Sequence, residues 1–494
     1  MRSDWGRSSP PSDTTKPQLV GLQFVRFLPI GHNLVTESRG TSCVSTIDHL
    51  RMDGIARVSS WALWMVTYQS ESLGDLGGCQ LTGCGGGPSL VDGMIPTLSA
   101  GSGASMERFG LVDNAGALCA TFAERSAEVE GLRRLPDESI KELHDAGLFR
   151  ALQPARFGGL EADPIEFFDA VIAVGGACGS TAWVLSVLAV HNWQLALFDL
   201  QAQEEVWGAD NRVLIASSYV PSGSVERVDG GYELSGRWHF SSGCDHARWM
   251  FLGGVVPREK DAPPPPDMRT FLLPESDYRI EDNWFVAGLA GSGSKIIVVE
   301  QVFVPEHRTH RFADLLAIDS PGNSVNTSPL FRVPFGGIFL NGVSTPALGV
   351  ARGALARFVE SSRTRVMADK SPADVDAFTQ LRLAEVTASL DGAYLQLAAN
   401  MAEMVTLAER CDKPTLKRRA RYRWDAARTT RIATEAVDAV FEASGGRAIF
   451  DSNPLQRAFR DVHAMRGHFN NNPEKAAQVY ARAELGFPNK EFLL

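Results

Sequence analysis

The chain has 494 residues, 44% hydrophobic and 21% charged, enough apolar material for a multi-lobed globular protein and too few charges for general disorder. Its net charge of -10 offers no basic field to a phosphate backbone or an anionic bilayer, so nucleic-acid and membrane partners are excluded as expectations. The longest early apolar stretch, Trp61 to Val66, is far below the ~20 residues that span a bilayer, and no secretory pattern opens the chain, so a cytoplasmic location is expected.

Residues 1–105 are rich in Gly, Ser, Thr and Pro clusters, of which GGCQLTGCGGG is the extreme, and lack any sustained helical or strand period. Little order is expected there. The segment reads either as a functional leader or as translation from upstream of the true start, with Met94 or Met106 as the beginning. The second reading is preferred, because a core requires an apolar period that this composition lacks. The seven cysteines (Cys43, Cys79, Cys84, Cys119, Cys178, Cys244 and Cys411) are odd in number and scattered, which suits a reducing compartment. Cys79 and Cys84 have no second ligand pair, so no metal site is expected.

From Met106 the pattern changes. Leu111, Ala115, Leu118, Phe122 and Ala127 recur near helical spacing, and PDESIKELHDAGLF places acids in a first turn and Gly147 near a helix end. DPIEFFDAVIAV and STAWVLSVLAVHNWQLALF continue a helical domain over 106–210. Residues 211–310 shift toward period two. VDGGYELSG reads as a hairpin turned at Asp229-Gly230-Gly231, WMFLGGVV, RTFLLP and KIIVVEQVFV read as strands, and the prolines from Pro263 to Pro266 mark a surface loop. In 311–494, after Pro334, long Ala/Leu-rich helices return as TPALGVARGALARFVESSRTRV, DAFTQLRLAEVTASLDGAYLQLAANMAEMVTLAER and WDAARTTRIATEAVDAVFEAS. The predicted class is α+β and mostly α, with an N-terminal helical lobe, a small central β-barrel-like domain and a C-terminal helical bundle.

That order of parts and four local segments make residues 106–494 resemble the acyl-CoA-dehydrogenase-like, two-component flavin monooxygenases, within them the branch that hydroxylates phenolic secosteroids in bacterial steroid-ring degradation. The segments are LHDAGLFRALQPARFGGLEADPIEFFDA, ACGSTAWVLSVLAVHNWQLALFDLQAQEEVWG, ASSYVPSG with RWHFSSGCDHARW, and FEASGGRAIFDSNPLQRAFRDVHAMRGHFNNNPE. In the last, an ordinary acyl-CoA dehydrogenase carries its catalytic glutamate soon after the Arg-Asp pair, whereas here His468 lies near that place and no Glu or Asp occurs between Asp461 and Glu474. Removing a proton alpha to a thioester needs a carboxylate base. A phenol can instead be helped by a histidine, which titrates near neutrality.

The resemblance implies an oxygenase component that takes reduced FMN, with FAD as the alternative, from a separate NAD(P)H:flavin reductase. With O2 it would ortho-hydroxylate a phenolic substrate through a C4a-hydroperoxyflavin, as a homotetramer. It implies His468 as the base acting on the phenol, and Ser242 beside flavin N5 with Phe240 and Ser241 in the flavin wall. Trp183, Ser217, Ser218 and Tyr219 would hold the isoalloxazine ring or ribityl chain, Phe469 would lie with His468 on the flavin, and Arg365, Gly446 and Arg447 would reach its phosphate. His191 and Asn192 would line the substrate pocket. His463, five residues before His468, would not share its helix face. The segment GLAGSGS, Gly288 to Ser294, departs from the family pattern by placing Ala290 where an arginine is usual, and neither it nor GSGSK has the spacing of a dinucleotide or Walker loop. With no NADH site visible, reduced flavin must come from a partner. The rivals are an acyl-CoA dehydrogenase with bound FAD and an inactive flavin-binding protein.

Overall fold

The structure, a computed structural model, describes residues 106–257, 266–366 and 376–489; the expectations for residues 1–105 and for the prolines Pro263 to Pro265 lie outside them. Five helices come first: α1 (Leu111–Leu132), α2 (Asp137–Asp145), α3 (Pro164–Ala177), α4 (Gly179–Leu195) and α5 (Leu200–Trp207). Local chemistry sets several starts. Asp163 accepts the Ile165 N–H ahead of Pro164, and Asp199 accepts the Gln201 N–H, each satisfying a donor that the helix leaves open. Every residue of α4 is buried, so its sequence carries no polar stripe. A helix enclosed on all sides can hold its side chains in one orientation, which suits it to carry Trp183 and His191.

The central part consists of β1 (Ile215–Ser218), β2 (Ser224–Val228), β3 (Gly231–Ser241), β4 (Trp249–Val256), β5 (Asp267–Pro274), β6 (Arg279–Glu281), β7 (Lys295–Pro305) and β8 (Thr309–Arg311). They form two four-stranded sheets, ordered β1-β4-β5-β8 and β2-β3-β7-β6. The hairpin appears where the Asp-Gly-Gly signal lies, with Val228 paired to Gly231 and Gly230 at φ 77. β1 pairs with β4 in parallel, Ser217 against Phe251. Near its end β3 loses register with β7 between Trp238 and Ser241, a bulge at which Phe240 takes a left-handed backbone of φ 65.

The remaining helices are α6 (Phe312–Ala317), α7 (Phe335–Thr364), α8 (Ala377–Glu409), α9 (Leu416–Ser444), α10 (Pro454–Arg466) and α11 (Pro473–Glu484). α7 crosses α3 at backbone distance. A Cβ on Gly349 would stand 2.5 Å from the Ile172 carbonyl and 2.9 Å from Gly175 Cα, so only glycine permits the crossing. One continuous apolar core joins the first helices, both sheets and the bundle, so the elements facing the site share one rigid interior. No helix among the described residues is long and apolar enough to cross a membrane.

Candidate active site

Five elements converge on one group of side chains. Trp183 and His191 lie about two turns, or ~12 Å, apart on α4. β1 and the residue after it supply Ser217, Ser218 and Tyr219, the β3 bulge supplies Phe240 to Ser242, α7 supplies Phe335 and Phe339, and the turn after α10 supplies His468. Ring contacts make the group continuous. His468 lies edge-on to Trp183 at 5.6 Å and 6.5 Å from Phe339, Phe339 meets Tyr219 at 5.3 Å, and Tyr219 meets His191 at 6.0 Å. Tyr219 donates its hydroxyl to Gln194.

Hydrogen-bond partners fix the tautomers. His191 Nδ1 lies 2.7 Å from the Ile215 carbonyl, which has no hydrogen to give, so the neutral ring carries its hydrogen on Nδ1. His191 Nε2 is then an acceptor, and the Ser217 hydroxyl at 2.8 Å donates to it. Ser217 is partly exposed and the imidazole behind it is 2% exposed, so a hydroxyl backed by a buried base faces the site. Burial holds the His191 pKa down at about 4, against a small opposing effect of the Ile215 carbonyl, so the ring is neutral at pH 7.

His468 is arranged the other way round. The Asn470 N–H donates to its Nδ1 at 3.3 Å, which leaves the hydrogen of the neutral ring on Nε2. Burial also lowers this pKa to about 4. Nε2 has no partner among the described residues, so His468 offers the site a donor. His463 stands apart on α10, half exposed, bonded to the Phe459 carbonyl and 3.4 Å from Asp438.

Ser242 accepts the Trp183 indole N–H at 3.0 Å and lies 2.7 Å from Ser294 Oγ. Ser218 donates to the His239 carbonyl beside the bulge, and the Phe240 ring is 69% exposed, edge-on to Trp284. Ser241 is fully buried with its hydroxyl on Met250 Sδ, so, against the sequence expectation, it turns no polar group to the site. Phe469 is half exposed beneath the Lys475 ammonium. Asn192, one residue and ~100° round the helix from His191, turns instead to the Phe149 carbonyl and keeps a buried Oδ1 without a partner. Arg365, Gly446 and Arg447 gather at the far end of α9, where Arg365 donates to the Ala443 carbonyl at 2.5 Å and Arg447 is exposed. Ala290 is buried in the turn before β7, so this position brings no charge to the site.

Sequence reasoning passed over Phe339, Ser292 and Ser294. The GSGS run carries a signal, small hydroxyl residues in a turn, which the comparison with the family arginine and with phosphate- and dinucleotide-loop spacing does not bring out. No three His, Cys, Asp or Glu among the described residues are placed to hold a metal. Aromatic faces at Trp183, Phe240 and Tyr219, polar edges at Ser218 and Ser242, and a broken strand edge at the bulge fit a planar heteroaromatic ring with hydrogen-bonding rims. A flavin satisfies that description.

Helical lobe, paired sheets and bundle, with a site where all three meet, define the acyl-CoA-dehydrogenase-like class, and residues 341–473 match the family described as acyl-CoA dehydrogenase, C-terminal domain. The chain is 46% identical over 374 residues to the oxygenase subunit HsaA of a flavin-dependent monooxygenase from Rhodococcus jostii, covering 75% of this chain and 97% of that one. It is 33% identical over 394 residues to the oxygenase component of an FADH2-dependent resorcinol hydroxylase from Rhizobium, covering 77% and 95%. The crystal structure of a 3-HSA hydroxylase from Rhodococcus superposes with a TM-score of 0.75 at 44% identity, covering 78% of this chain and 99% of the other. The chain belongs to the family of flavin-dependent monooxygenase oxygenase subunits.

Proposed function

We propose that this oxygenase hydroxylates a phenolic ring ortho to its hydroxyl, with a ring-opened phenolic steroid as substrate, reduced FMN as cofactor and a separate NAD(P)H:flavin reductase as its source. The observation that carries this reading is the Ser217–His191 pair, a buried acceptor behind a reachable hydroxyl, in a site of imidazoles and hydroxyls. The nearby carboxylate, Asp461, is buried and spent on the Leu289 N–H, which disfavours the acyl-CoA dehydrogenase alternative.

Trp183, Ser218, Tyr219, Phe240, Ser242 and Phe469 would hold the flavin ring and its chain, with Arg365, Gly446 and Arg447 toward the phosphate. Reduced flavin, when bound, supplies the electrons and the activation of dioxygen that place one oxygen atom on the ring and release the other as water. The chain's residues handle the phenol. Ser217 accepts the phenolic proton as its own passes to His191 Nε2, and His468 Nε2–H bonds to the oxygen that gains negative charge. Burial makes the His191 imidazole, held near pKa 4, a far weaker base than the phenolate of a phenol of pKa about 10, so the proton stays on the phenol in the resting complex and moves toward Ser217 and His191 only as the ring attacks oxygen. Packing of Phe335 and Phe339 around Tyr219 keeps this part of the site dry. This departs from the sequence expectation, in which His468 is the base, His191 lines the substrate pocket and Ser217 holds the flavin; the partners of the ring nitrogens support His191 as the base, Ser217 as its relay and His468 as the donor.

The test supplies reduced FMN or reduced FAD, oxygen and a panel of phenols that includes a ring-opened steroid, counting oxygen uptake against catechol. A catechol formed one for one with oxygen supports the reading, and dye reduction with acyl-CoAs in its place would overturn it. We also propose a homotetramer. Val366, Phe378, Leu381, Ile449 and Phe450 leave apolar surface exposed around the end of α9, beside Arg365 and Arg447. Sedimentation of the active enzyme as a tetramer is expected, and an active monomer would contradict it.

A further inference from the structure

The hydroxyls of Ser292, Ser294 and Ser242 form a chain whose direction follows from its two ends. Ser292 Oγ lies 2.7 Å from the Leu289 carbonyl, and two oxygens that close need a hydrogen between them, which the carbonyl cannot provide. The single Ser292 hydrogen is therefore committed there. In its 2.8 Å contact with Ser294, Ser292 must accept, so Ser294 donates to it, and in the 2.7 Å contact with Ser242 it is Ser294 that accepts and Ser242 that donates. At the other end the Trp183 indole can only donate, so it takes one lone pair of Ser242. Ser242 is left with one free lone pair and no free hydrogen. The anchor is firm: Ser292 and Ser294 are 1% and 4% exposed, and the backbone that carries the chain is tied to α10 by the Leu289 N–H on Asp461 Oδ1 at 2.7 Å.

We propose that Ser292 and Ser294 are positioning residues that turn the Ser242 hydrogen away from the flavin, so that the site presents an acceptor and selects the reduced ring over the oxidised one. The two redox states differ at N5: the reduced ring has an N–H there, which can donate to the Ser242 lone pair, and the oxidised ring has a lone pair, which cannot. The inference rests on the reading that Ser242 faces flavin N5. Without Ser294, Ser242 regains a free hydrogen and can rotate it toward oxidised flavin. Without Ser292, Ser294 is released to donate to Ser242, with the same consequence.

The experiment measures dissociation constants of oxidised FMN in air and of dithionite-reduced FMN under anaerobic conditions, for the full chain and for Ser294→Ala, Ser292→Ala and Ser242→Ala. Ser294→Ala and Ser292→Ala are each expected to shrink the preference for reduced FMN by about tenfold, the worth of one hydrogen bond, mainly by tightening the oxidised complex. A structural role alone would weaken both complexes in parallel, and that result overturns the proposal. Full preference in both relay variants, with an altered preference in Ser242→Ala, overturns it too. Unchanged constants in Ser242→Ala would overturn the reading that Ser242 faces the flavin. Either relay variant suffices if the other fails to fold.

Discussion

Replacing His191 with alanine is expected to lower catechol formation by about 10²-fold or more, the usual worth of a positioned base, while reduced FMN still binds and oxygen is still consumed. The expectation follows from where the ring sits. It is 2% exposed behind Ser217, with its hydrogen held on Nδ1 by Ile215, so it reaches the substrate proton only through the Ser217 hydroxyl. Oxygen that no longer reaches the ring should leave as hydrogen peroxide, rising as catechol falls. Ser217→Ala should reproduce most of the loss, because the proton passes through that hydroxyl. A fluorinated phenol acidic enough to be ionised at the assay pH should restore coupling to His191→Ala, since it arrives without the proton. Wild-type coupling in His191→Ala with an ordinary phenol would sink the assignment.

His468→Ala should also uncouple the enzyme, but with a different signature. Losing a donor to a developing phenolate removes a hydrogen bond to a charged oxygen, about 1.5–3 kcal/mol, or roughly 10- to 100-fold in the oxygen-transfer step. The acidic phenol should not rescue this variant, because the ionised oxygen needs the donor as much as before. Product counted against oxygen uptake, with ordinary and acidic phenols in both variants, separates the two roles. Rescue of His468→Ala alone would return the base role to His468 and show that the Asn470 contact does not set its tautomer in solution.

Much of the fold was legible because the period was. β4 spans the predicted WMFLGGVV, and β5 and β7 contain the other two predicted strands, each alternating or continuously apolar as a covered sheet requires. Helix starts were less legible where composition contradicts the element. α7 begins at Phe335, ten residues ahead of the predicted segment, because Gly336, Gly337 and Gly342 read as breakers. Gly337 makes room there for Met404, whose Sδ a Cβ would meet at 2.4 Å, a contact from a helix nearly seventy residues away. α9 likewise starts at Leu416, ahead of WDAARTT, through an arginine-rich turn that carries no apolar stripe.

For the site, residue types at family spacing pointed to Trp183, Ser217, Tyr219, Ser242, His191 and His468, and the structure gathers all six around one continuous set of ring and hydroxyl contacts. Phe339 stayed hidden because a phenylalanine in a buried helix looks the same whether it faces core or substrate, and Asn192 could not be told from His191 until the helix turned them apart. The sequence by itself determined the family, the order of helical and β parts, and the exchange of a carboxylate for imidazoles and hydroxyls, since all of these are properties of which residues occur and how they are spaced. Only the tertiary structure decided which nitrogen of each histidine holds its hydrogen and which way the Ser242 hydroxyl points. Those choices belong to partners such as the Ile215 carbonyl for His191 and the Ser294 hydroxyl for Ser242, 24 and 52 residues away along the chain, and a hydrogen bond has no direction until both of its ends are in place.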